Sequence, residues 1–150
     1  MIKSLKSLFQ KPEQSAGPEL QHSLHLAAAA LLIEMTRADF EIAKAEQDAL
    51  VKVLCNTLEL EHAEVLELIE LGSVAADRAT SLYEFTRLIN DHYSPDQKRE
   101  LVRSMWQVAY ADNDLDKYEE RLIRQVSDLI HVSHAAFIKL KLEVTGQKPG

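Results

Sequence analysis

One nine-residue pattern is written twice in this chain. Ala38-Asp39-Phe40-Glu41-Ile42-Ala43-Lys44-Ala45-Glu46, followed by Leu50, returns as Ala111-Asp112-Asn113-Asp114-Leu115-Asp116-Lys117-Tyr118-Glu119, followed by Ile123. Each residue of the second copy stands 73 positions after its counterpart, Asp112 after Asp39 and Glu119 after Glu46. Both copies sit between stretches of helical periodicity. A repeat of this kind restricts the fold to one supersecondary unit, helix–loop–helix, used twice around a shared core. The offset carries Ile33 onto Trp106 and Val53 onto Val126, and Trp106 reads as a core residue.

The rest of the chain reads as helix. From Leu20 onward apolar residues recur at helical spacing, with no run of alternating β-branched residues. The pattern predicts an all-α fold, a single helical domain of about seven helices, at 19–38, 44–57, 61–72, 80–92, 95–111, 117–130 and 134–144. Ser94-Pro95-Asp96-Gln97 supplies a capping Ser, Pro at the first helical position and a Gln to close the box. Asp116 to Glu119 has the same form, and Gly72 is expected to end the third helix. Leu24 to Met35 is the most apolar stretch but is too short to cross a bilayer, which takes roughly 20 residues. It reads as a central helix whose Ala27 to Ala30 let neighbours come close.

Two parts are expected. Residues 1–18 form an N-terminal segment and linker, and 19–150 the helical domain. Ile2, Leu5, Leu8 and Phe9 lie at helical spacing beside Lys3, Lys6 and Lys11, and a Pro- and Gly-containing stretch follows to Pro18. Such a segment suits a short helix that docks on its own domain or on a neighbour, or frays; its membrane-surface alternative is a weak peripheral contact through residues 1–11.

A net charge of −7 argues against nucleic-acid binding, which requires clustered Lys and Arg. Cys55 is the only cysteine, which excludes an intrachain disulfide and, with no secretory signal, points to an intracellular protein. In its apolar context Cys55 reads as a small core residue. Glu61, Glu64, Glu67 and Glu70 read as a solvated helix face. The pairs His22/His25 and His131/His134 have metal-ligand spacing, but pairs of this kind on amphipathic helices are usually surface residues. No phosphate loop, nucleophile elbow or His-Glu-x-x-His occurs, so no catalytic residue is assigned.

The two loops carry the functional signal. Asp-x-x-(Ile/Leu)-x-x-x-Glu has the spacing of the second half of an EF-hand calcium loop, with acids at the fifth and twelfth positions. The first half is absent, because Met35 and Arg37, or Val108 and Tyr110, stand where the first ligands would be. Glu119 also fits a capping box with Asp116, and Glu46 suits a helix N-terminus. Asp39 and Asp112 are harder to explain as caps, since an acid at the end of the preceding helix opposes the dipole. The expected metal ligands are Asp39, Glu46, Asp112 and Glu119, with Glu41 and Asp114 second. All are oxygen donors, which favours a divalent cation such as calcium, magnesium or manganese.

The doubled motif in an acidic helical chain resembles the tellurite-resistance protein B-like (TerB-like) family over roughly Leu20 to Val144. Similar segments occur in membrane-proximal regions of some J-domain co-chaperones. Phe40 and Asn113 stand where that family usually has Gly. The resemblance implies a bacterial, cytoplasmic, non-enzymatic module linked to tellurite or stress resistance or to complexes at the inner face of the membrane, with a protein partner. A carboxylate-metal hydrolase and a helical scaffold without an ion are the alternatives. Neither loop contains a His, which disfavours the hydrolase.

Overall fold

Eleven of the 19 residues of the first long helix are buried, and the rest of the molecule is arranged around it. The computed structural model describes residues 17–36, 44–111 and 117–146, apart from the side chains of 44–46. The described residues form one all-α domain of seven helices: α1 (Pro18–Thr36), α2 (Lys44–Leu58), α3 (His62–Arg78), α4 (Tyr83–His92), α5 (Pro95–Ala109), α6 (Lys117–Leu129) and α7 (His134–Thr145). The N-terminal segment and most of the linker expected over 1–18 lie outside the described residues.

α1 packs against α2, α3, α4, α5 and α6, so it is the central helix that its composition predicts. Ala27, Ala28, Ala29 and Ala30 are all buried, and their small side chains admit α3 at close range. The residue that completes this approach is Gly72, in the middle of α3. A Cβ there would lie 2.9 Å from Ile33 Cδ1 and 3.5 Å from both Ala29 Cβ and Ala30 N. The expectation that Gly72 ends the third helix is therefore wrong, since the helix runs on to Arg78. Gly72 is used here for proximity and not as a terminator.

Other boundaries follow their caps. Ser94 Oγ accepts from Gln97 N (3.2 Å) and Gln97 Oε1 from Ser94 N (2.8 Å), with Pro95 opening α5. Ser133 Oγ accepts from Ala136 N at 3.1 Å at the start of α7. Gly146, at φ +72°, ends α7 in the left-handed conformation that glycine adopts without steric cost.

Trp106 is fully buried, as its place in the repeat predicts. Its ring meets that of Phe137 at a centroid distance of 5.1 Å. Lys141 Nζ lies 5.7 Å from the indole centroid and 2.8 Å from Glu120 Oε2, tying α7 to α6. Cys55 is only half-buried, packed against the core from its edge. Glu61, Glu64, Glu67 and Glu70 are all exposed, the solvated face expected of them. No described helix is long and apolar enough to cross a membrane.

Candidate functional site

The helices that carry the two acidic loops stop and start in step. α1 ends at Thr36 and α5 at Ala109, while α2 begins at Lys44 and α6 at Lys117. Both pairs of limits keep the 73-residue offset of the sequence repeat. Burial follows the same offset: Ile33 and Trp106, Met35 and Val108, Leu50 and Ile123, and Val53 and Val126 are all buried. The helix limits and the buried positions described on either side of the loops thus keep the sequence offset. Thr36 Oγ1 donates to the Ile33 carbonyl at 2.9 Å in the last turn of α1. At the end of α5 the amides of Tyr110 and Ala111 donate to Trp106 O (2.9 Å) and Val108 O (3.2 Å), tightening the last turn.

Of the six expected ligands, Asp39, Glu41, Asp112 and Asp114 lie outside the described residues, as does the side chain of Glu46, which is in the first turn of α2. Ile42 and Leu115, the aliphatic residues expected to anchor the loops, also lie outside them. Glu119 is described, and it is 4 % exposed. It stands in the first turn of α6, one helical turn before Ile123, which has no exposure at all. The two positions share a face of the helix.

Glu119 is less exposed than the residues at the same position of two other helices. Glu64 and Gln97, at the equivalent third position of α3 and α5, accept from cap backbone amides and are exposed. A cap serves its helix equally well in water. Removing a carboxylate from solvent costs free energy unless it is paired or coordinated, and Glu119 does have a partner within the chain. The positive end of the α6 dipole stabilises it further.

The histidine pairs behave differently from one another. His131 is exposed at φ +66°, and His134 is exposed with its ring 5.6 Å from that of Phe137. His25 is half-buried on α1. Desolvation by burial lowers its pKa below the usual 6.5, the neighbouring His22 lowers it further, and Glu64 across on α3 opposes both. Among the described residues no group of three or more His, Cys, Asp or Glu side chains is placed to hold a metal ion.

Sequence reasoning did not find a cleft of about 570 Å³ between α1, the end of α2 and the start of α5. Its lining includes Leu24, His25, Leu58, Tyr93, Asp96 and Glu100. These residues come from separate helices and the turns that join them, so no local spacing marks them.

A family model described as Tellurite resistance protein TerB matches residues 25–142, from within α1 to within α7 and across both acidic loops. No curated protein and no solved structure gives a match.

Proposed function

The chain belongs to the tellurite resistance protein TerB family, and from that premise we propose that it is a non-enzymatic interaction module whose acidic loops respond to a divalent cation. The observation that carries this reading is that Glu119, the one expected ligand whose side chain is described, is a carboxylate only 4 % exposed in the first turn of α6. The repeat extends the role to Glu46, and the loop acids Asp39 and Asp112, with Glu41 and Asp114 behind them, supply the remaining oxygens. A donor set made only of carboxylates suits calcium, magnesium or manganese and is a poor match for zinc. With half of an EF-hand's ligands missing, affinity belongs near the weak end of that range, ~10⁻⁴ M.

The cation would act on the ends of α1, α2, α5 and α6 and so bias how the module presents itself to a protein partner. Stress or tellurite resistance, in the cytoplasm or at the inner face of the membrane, is the setting the family suggests. The net charge of −7 makes a nucleic-acid partner unfavourable. Residues 1–11 could add a weak membrane contact. The hydrolase alternative calls for open coordination positions and further ligands, usually His, and neither loop contains one.

Hydrogen exchange tests the proposal. Millimolar calcium should slow exchange in the segments around residues 34–50 and 107–123 and leave α3 and α4 unchanged. Equal exchange with and without calcium and magnesium would reduce the acids to capping devices.

A further inference from the structure

The cleft between α1, the end of α2 and the start of α5 lies away from the acidic loops and has a distinct chemistry. The buried Ala28, Leu32, Leu54 and Leu101 give it an apolar floor. Leu24, Leu58 and Tyr93 stand half-buried on its walls. The lining contains three exposed carboxylates, Glu59, Asp96 and Glu100, and no Lys or Arg. Asp96 and Glu100 pair with Arg99 and Arg103 on their own helix. Exposed pairs of this type are weak, so they leave the carboxylates able to receive a further cation.

The first 11 residues have the complementary pattern. They contain Lys3, Lys6 and Lys11 and no acid, in a chain whose net charge is −7. Ile2, Leu5, Leu8 and Phe9 fall on one side of a helical wheel, with Lys3 and Ser7 opposite. The point of attachment is also favourable. Gln21 N bonds to the Gly17 carbonyl at 3.0 Å as α1 begins, and Gln21 itself lines the cleft, so the chain enters the fold within one helical turn of it. Residues 11–17 can span at most ~25 Å when extended. That is about twice the diameter of a helix, enough to fold back over the opening. Pro12 and Pro18 disfavour a continuous helix through this connection.

We propose that residues 1–10 dock in this cleft of their own chain, with the Ile2/Leu5/Leu8/Phe9 face over the floor and the lysines at the rim of Glu59, Asp96 and Glu100. The docked segment cannot present that apolar face to a membrane or a partner at the same time. The cleft therefore holds the segment in reserve.

Paramagnetic broadening in the full chain tests this. A nitroxide is placed at residue 7 by Ser7→Cys in a Cys55→Ser background. Amides of Gln21, Asn56 to Glu59 and Gln97 to Leu101 should broaden selectively. Adding Lys3→Glu, Lys6→Glu and Leu5→Asp, all outside the helical domain, should abolish the effect and leave the remaining spectrum unchanged. Broadening spread evenly, centred elsewhere, or retained after those substitutions would overturn the proposal. So would the same broadening in a mixture of labelled chains and isotope-enriched unlabelled chains, which would assign the contact to a second copy.

Discussion

Replacing Gly72 by alanine sets two effects of similar size against each other. In a helix interior alanine is better than glycine by ~0.5–1 kcal/mol, because less backbone entropy is lost on folding. Against this, the new Cβ would lie 2.9 Å from Ile33 Cδ1, well inside the ~3.5–4.0 Å of a favourable carbon contact. Ile33 is 2 % exposed, so its terminal methyl, the movable end of the side chain, has to make room inside the packed core and not in solvent. Overpacking of this kind costs ~1–3 kcal/mol, and the balance is a net loss of about 1 kcal/mol. In a chain of this size that lowers Tm by ~2–4 °C. The diagnostic is the cycle with Ile33→Val, which deletes the clashing methyl. Alone, Ile33→Val should cost ~0.5–1.5 kcal/mol. In the Gly72→Ala background it should cost less by ~1 kcal/mol, because the same methyl is then in the way. Urea denaturation of the four proteins measures this. Additivity within ~0.3–0.5 kcal/mol, or a Gly72→Ala protein more stable than the parent, would refute the close approach of α3 to α1.

Two further outcomes are expected. His25 has a folded pKa below its unfolded value of 6.5, chiefly through desolvation. Its contribution to stability is complete above pH 6.5 and is lost as pH falls toward the folded pKa, since the unfolded chain takes up the proton first. His25→Gln should therefore flatten the decline in Tm between about pH 7 and 5, and an unchanged slope would contradict the burial argument. Ser94→Ala removes the hydroxyl that caps α5 and should cost ~1 kcal/mol, read as a fall in Tm of ~2–4 °C; a Tm equal to the parent's would show that the capping box does not hold the helix start.

The helical scaffold was legible because its signals are local. Ser94, Pro95 and Gln97 mark the start of α5, and the repeat sets Trp106 against Ile33 as a core residue before any contact is known. Gly72 misled because glycine serves two ends, as terminator and as the residue of closest approach. The distinguishing pattern is its register: Val65, Leu68, Gly72 and Ala76 are all buried and lie on one face of α3, so the helical period continues through the glycine. Tyr83 opens α4 later than the predicted 80, because residues 79–82 form the turn that follows α3. The cleft was not legible, since it joins side chains that only tertiary packing brings together. Glu119 falls between these cases. Spacing identified the residue, but how far it is buried depends on how α6 is rotated against its neighbours.

The central claim is that the paired acidic loops bind a divalent cation in the folded state, and titration of calcium followed by calorimetry and melting tests it most directly. With a dissociation constant of ~10⁻⁴ M, about 10 mM calcium adds ~2.7 kcal/mol by mass action. At ~2–4 °C per kcal/mol the wild-type Tm should rise by ~5–10 °C, and the rise should vanish in the Asp39→Asn, Asp112→Asn double variant. A wild-type protein that shows neither heat nor a shift in Tm, or a double variant that responds as the wild type does, would contradict the account.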